Sequence, residues 1–123
     1  MIRCLTLLFV CFSILLAGSL DARGVETIVI KDVQNARSLA GTVTDRSGAL
    51  IPGVLVEERS SDWKSSLRST TSDNTGHFSF DPVQGREIYY LQLSLDGFNQ
   101  LQVRVKVDPK RGKALTLPMF LST

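Results

Sequence analysis

The sequence predicts an all-β sandwich. Short runs alternate apolar and polar residues at period two, the signature of strands with one face buried. Clusters rich in Asp, Gly, Pro and Ser separate those runs at short intervals. After the first 22 residues no stretch carries helical periodicity, which argues against alternating strand–helix architecture.

The chain has 123 residues and opens with an apolar run, "LTLLFVCFSILLAGSL", behind Arg3. A positive residue, a short apolar core and then small residues are the parts of a secretory signal. A signal peptide is therefore expected over residues 1–22, cleaved after Ala22 or Ser19. The run is short for a membrane span and no positive cluster follows it, so no stable span is expected after cleavage. Both cysteines, Cys4 and Cys11, fall inside it, and the exported remainder is expected to hold itself without disulfides or cysteine metal ligands. Residues 23–37, including "VETIVIKDV", are expected to form a leader segment or an extra strand. Residues 38–123 are long enough for one core and are expected to form one domain.

Strand signals follow in order. "LAGTVTD" sets Leu39, Gly41 and Val43 on one side. "GVLVEERS", from Gly53, is a more continuous apolar run that turns polar at Glu57. "LRSTTSD", from Leu67, is polar and β-branched, as an edge strand would be. "HFSF" points Phe78 and Phe80 one way. In "YYLQLSL" Tyr89, Leu91, Leu93 and Leu95 share a parity and Tyr90 faces outward. "LQVRVKV" alternates Leu101, Val103, Val105 and Val107 with polar residues, and Leu115, Leu117, Met119 and Leu121 repeat the pattern near the end. The net charge of +2 points to no nucleic-acid partner. The basic cluster around "DPKRG" reads as a solvated hairpin tip.

Two turns share the spacing Asp-x-x-Gly: Asp45 with Gly48, and Asp73 with Gly76. Asp at the first position of a type I turn accepts backbone N–H groups two and three residues on, and Gly at the fourth takes the left-handed conformation. Pro52 has no N–H for a ladder and belongs at a strand start, with Gly53 after it letting the chain bend. Neither turn has the alternating oxygen ligands and terminal Glu of a calcium loop.

The segments "GTVTDRSGALIPGVLV", "TSDNTGHFSF" and "YYLQLSLDGF" resemble the carboxypeptidase regulatory-like domain, a transthyretin-like (prealbumin-like) β-sandwich related by fold to starch-binding-like domains. The residues that match its pattern are Gly41, Val43, Asp45, Gly48, Ile51, Pro52, Gly53, Val54 and Val56, then Thr71, Gly76 and Phe78, then Tyr90, Leu91, Gly97 and Phe98. The resemblance implies a seven-stranded Greek-key sandwich in an exported protein, secreted or periplasmic. It also implies an accessory module, of the kind found beside metallocarboxypeptidase catalytic domains or at the N-terminus of TonB-dependent receptors. No companion domain is expected here, so such a partner would act in trans.

Catalytic signals are weak. His77, the one histidine, reads as a strand-start residue beside a turn glycine, and no nucleophile-elbow pattern occurs. Glu57 and Glu58 point to opposite faces of a strand and cannot flank one bond. The hydrolases of 5-hydroxyisourate among transthyretin-like proteins use several histidines and end in Tyr-Arg-Gly-Ser, whereas this chain ends Phe-Leu-Ser-Thr. No catalytic residue, metal or cofactor is expected. The expected role is binding or scaffolding at the cell envelope, with a polysaccharide or an envelope protein as partner. For a sugar, the candidate residues are Trp63, in the polar loop "SSDWKSS", its neighbours Asp62 and Lys64, and outward-facing Tyr90. The alternative is that Trp63 folds back to cap the end of the sandwich.

Overall fold

A computed structural model describes residues 26–122. The expected signal peptide, with Cys4 and Cys11, lies outside the described residues. Among those described there are eight strands and no helix: β1 (Thr27–Val29), β2 (Gln34–Thr44), β3 (Leu55–Arg59), β4 (Ser66–Thr71), β5 (His77–Ser79), β6 (Ile88–Ser94), β7 (Gln100–Val107) and β8 (Lys113–Pro118). The spatial order is β4-β3-β6-β7-β2-β5, with β1 added along β7 and β8 along β2.

Strand β2 turns this sheet into two layers. Its first residues, Gln34–Ala36, run parallel to Val105–Val107 of β7. Its later residues lie between antiparallel β5 and parallel β8. The register to β8 shifts between Ala36 and Gly41, and there the chain passes from one layer to the other. One layer is therefore β4-β3-β6-β7 with β1, and the other is β5-β2-β8. Residues 27–29 and 34–36, in the segment expected as leader or extra strand, together follow the outer edge of β7. Strand β1 is thus an eighth strand beside the seven that the resemblance implies.

The period-two pattern explains the core. Leu39 and Val43 of β2, Phe78 of β5, and Leu115 and Leu117 of β8 are buried from one layer. Val56 of β3, Tyr89, Leu91 and Leu93 of β6, and Leu101, Val103 and Val105 of β7 are buried from the other. These residues form one hydrophobic cluster with Val54, Ile51 and Met119. Burial of each large apolar side chain contributes roughly 1.5–3 kcal/mol before conformational entropy is counted. Strand β4 pairs only with β3 and forms an edge, as its polar composition suggests.

Three expectations are corrected. Leu121 does not join the inward set: β8 ends at Pro118, and Leu121 makes only an isolated bridge with Phe98 and is 69% exposed. The "DPKRG" turn is not a hairpin tip, because β7 and β8 belong to different layers. Asp108 N–H donates to the carbonyl of Ala36, tying the crossing to β2 (2.8 Å). The run from Gly53 does not simply turn polar. Glu58 keeps the inward parity of Val54 and Val56 and is buried at 1% exposure.

Two arginines satisfy that carboxylate. Arg68 of β4, directly across from Glu58, donates Nε to Oε1 (2.7 Å), and Arg86 donates to Oε2. The guanidinium of Arg68 lies over the Phe80 ring (4.9 Å), and that of Arg86 over the Tyr89 ring (5.8 Å). The buried Nη2 of Arg68 has no hydrogen-bond partner among the described residues, and the Phe80 ring beneath this guanidinium provides cation–π attraction. Tyr89 completes the closure at this end: its hydroxyl accepts the N–H of Val83 (2.8 Å) and holds the loop between β5 and β6 against the core.

Candidate ligand-binding surface

The two Asp-x-x-Gly turns lie together at one end of the sandwich. In the first, Gly48 N–H donates to the Asp45 carbonyl (3.0 Å) with Gly48 at φ +93°. Asp45 Oδ1 accepts from the N–H groups of Ser47 and Ala49 and from the Ser47 hydroxyl. In the second, Gly76 N–H donates to the Asp73 carbonyl (2.8 Å) with Gly76 at φ +72°. Asp73 Oδ1 accepts from the N–H groups of Thr75 and His77 and from the Thr75 hydroxyl. The side chains therefore take the donors two and four residues on. The N–H three residues on, the glycine's, goes to the aspartate's own backbone carbonyl.

These bonds hold both carboxyls below their ordinary value, chiefly through the Ser47 hydroxyl at Asp45 and the Thr75 hydroxyl at Asp73. Oδ1 of each aspartate is thus engaged within its own turn. Pro52 is exposed just before β3, while Gly53 and Gly97 also have positive φ. The Pro52–Gly53 segment is fastened by buried Ser72, whose hydroxyl accepts from Val54 N–H (2.8 Å) and donates to the Ile51 carbonyl (2.9 Å).

At the opposite end, the loop from β3 to β4 repeats the same backbone bond: Trp63 N–H donates to the Ser60 carbonyl (2.8 Å). Trp63 occupies the position that glycine holds in the other two turns, at φ +67°. It is the only positive-φ residue other than glycine among the described residues. For a bulky side chain the left-handed region costs about 1–2 kcal/mol. Arg59 counteracts that strain, its Nη2 (2.9 Å) and Nε (3.3 Å) both donating to the Trp63 carbonyl. Ser60 and Ser65 close the loop with paired bonds.

The indole does not cap the core. It stands on the outer face of the β3-β6-β7 layer, edge-to-face with Tyr90 at 5.4 Å between centroids and 83° between planes. Tyr90 lies between Arg59 of β3 and Arg104 of β7 in the sheet register. Trp63 and Tyr90 line an open depression of about 500 Å³ with Val29, Ile30, Lys31, Ser61 and Arg104. Arg104 Nη2 donates to the Lys31 carbonyl and ties the chain after β1 to β7.

Asp62 and Lys64 do not line this depression. Asp62 Oδ1 accepts the Ser60 hydroxyl (2.6 Å) and the Lys64 N–H (3.0 Å). The Ser60 hydroxyl is the main reason its carboxyl is held below the ordinary value. Asp62 thus shapes the loop that presents Trp63, and Lys64 is exposed beside it. Lys31 and Arg104 were not singled out by sequence reasoning. Arg104 has a legible signal, since it shares the outward parity of "LQVRVKV"; Lys31 enters only because β1 lies beside β7. Glu58 was missed because its polarity outweighed a parity that Val54 and Val56 had already set.

Other features offer less. His77 is exposed at the start of β5, opposite Thr42. Among the described residues no group of His, Cys, Asp and Glu side chains has the arrangement to hold a metal ion. A depression of about 390 Å³ at the other end, lined by Asp45, Arg46, Ser47, Phe98, Met119 and Leu121, has an apolar floor but no ring stacked for presentation.

The sequence profile of the carboxypeptidase regulatory-like domain matches residues 38–119, more than half of the chain. No curated protein is significantly similar to it.

Proposed function

The chain belongs to the carboxypeptidase regulatory-like domain family, and on that premise we propose that it is a non-catalytic binding module working outside the cytoplasm. Its ligand is a carbohydrate taken on the outer face at Trp63 and Tyr90. The observation that carries this reading is Trp63 itself. A tryptophan at a left-handed turn position, pinned through its carbonyl by Arg59, is backbone strain kept where a ring is presented to solvent rather than to the core. An aromatic ring beside polar and charged side chains suits the apolar face and hydroxyl rim of a pyranose. The accessory habit of the family agrees with a module that binds and leaves chemistry to others.

Trp63 is the only tryptophan in the chain, so its fluorescence reports this surface alone. Titration with a panel of envelope and plant polysaccharides is expected to shift or quench the emission saturably, and Tyr90→Ala to weaken the response. A flat titration with every glycan overturns the carbohydrate reading.

A second reading has its own observation. Strand β4 pairs on one side only and carries no Lys, Glu, Asp or Pro, its one charged residue, Arg68, being engaged with buried Glu58, although a register shift opposite Glu58 and Arg59 interrupts it near Leu67. An extended segment of an envelope protein, such as a peptidase or receptor acting in trans, fits that edge by strand addition. In that case a partner protects the β4 amides from hydrogen exchange and leaves Trp63 emission unchanged.

A further inference from the structure

We infer that the sugar taken at Trp63 is an acidic one, its carboxylate carried as a uronic acid, held between Lys31 and Arg104. The inference rests on the carbohydrate reading above and adds the substrate class. Of the residues that line the depression, two are cationic and none is anionic. Two acidic side chains of the adjoining loop and strand are engaged within their own elements. Asp62 is bonded to Ser60 and Lys64, and Glu57 is paired with Arg59 Nη1 at 3.3 Å. The lining of the depression therefore presents two cationic side chains and no carboxylate beside two aromatic rings.

The placement of the cations follows from the fold. Arg104 stands next to Tyr90 across the β6–β7 pair. Its one side-chain hydrogen bond among the described residues, to the Lys31 carbonyl, uses Nη2 and holds the guanidinium at the rim. A guanidinium has five N–H donors in a planar fork that matches a carboxylate, so most of its donors remain for a ligand. Lys31 adds a flexible ammonium on the same wall. A pyranose stacked on one of the two rings, which stand at 83° to each other, then lies beside the cationic rim. A neutral sugar leaves those charges unmatched, whereas a uronate pairs with them.

The test compares uronic-acid oligosaccharides of several linkages with the same oligosaccharides as methyl esters, which lack the negative charge, by Trp63 fluorescence and calorimetry on the purified protein. The free acids are expected to bind about tenfold more tightly than the esters at low ionic strength, with the advantage fading toward ~1 M salt. Lys31→Gln, whose side chain is exposed and makes no hydrogen bond among the described residues, is expected to lose several-fold of that advantage with an unchanged melting curve. Arg104→Gln is expected to lose more. If acids and esters bind alike and both still depend on Trp63, the acidic preference is overturned while the carbohydrate reading stands. If neither series perturbs Trp63 while neutral glycans do, the acidic preference is again overturned. If no glycan of either kind binds, both readings fall.

Discussion

The turns that begin at Asp45 and Asp73, at one end of the sandwich, and the turn that begins at Ser60, at the other, close with the same bond between the first carbonyl and the fourth N–H. The first two put Gly48 and Gly76 at the left-handed fourth position, and the third puts Trp63 there. Glycine takes that conformation without penalty, so its presence at the first end needs only a fold-level reason. Tryptophan takes it at a cost, and the structure spends two hydrogen bonds from Arg59 on keeping it. The same backbone device thus serves packing at one end and sets an indole on the outer face at the other. Gly76 shows the packing role most clearly. A Cβ there would lie 2.8 Å from the Val43 carbonyl and 3.1 Å from the Ile51 N, because the second turn is pressed against the strand that leads into the first.

The largest effect expected from testing this contrast is at Gly76. Gly76→Ala adds left-handed strain to a backbone clash and disturbs the Val43–Gly76 hydrogen bond, so a loss of about 3 kcal/mol or more is expected in urea unfolding. Gly48→Ala is expected to cost only about 1 kcal/mol, because nothing lies within 4 Å of its added Cβ and strain alone acts. Equal losses at the two sites would remove the distinction between a crowded turn and an open one.

Trp63→Gly tests the other end. Relief of left-handed strain, about 1–2 kcal/mol, is opposed by loss of the ring pair with Tyr90, about 0.5–1.5 kcal/mol. Loss of the half-buried indole's apolar contact and the greater freedom of unfolded glycine add to the cost, so a net loss of no more than about 2 kcal/mol is expected while the proposed glycan binding, read by calorimetry, disappears. A variant destabilised by several kcal/mol would make Trp63 a structural residue after all.

The smallest expected effect is on acid stability. The Asp45 and Asp73 carboxyls titrate below their ordinary 3.8 in the folded chain. A depressed folded value adds stability that is fully present above the unfolded value and is lost as pH falls through the folded one. Stability of the parent should thus decline as pH drops below about 4. The double variant Asp45→Asn, Asp73→Asn keeps an acceptor oxygen at each turn but no charge, and a shallower slope is expected in melting curves taken between about pH 5 and pH 2. An unchanged slope would show that these carboxylates add no pH-dependent stability.

How much of this was legible beforehand differs between the two ends. The glycine turns were readable because Asp and Gly at fixed spacing act through their own backbone, and a local cause leaves a local signature. The inward sets of β2, β6 and β7 were readable for a similar reason, since strand parity alone assigns a face. Glu58 was not, because its burial depends on Arg68 and Arg86, which lie ten and 28 residues away in sequence. Leu121 failed in the opposite sense: its parity fitted, but β8 stops at Pro118, and parity has no meaning beyond the end of a strand. Trp63 was legible as a ring in a polar loop. Its grouping with outward-facing Tyr90 was readable as one of two alternatives, and only the fold decided between that and a cap on the core.

The sequence by itself determined the strands, the turns and the family, because period-two burial and turn chemistry are carried by neighbouring residues. Tertiary structure alone decided the crossing of β2 between layers, the enclosure of Glu58 by two arginines, and the meeting of Lys31, Trp63, Tyr90 and Arg104 on one outer face. Each of these depends on register between strands distant along the chain, and register is fixed only when the whole core packs.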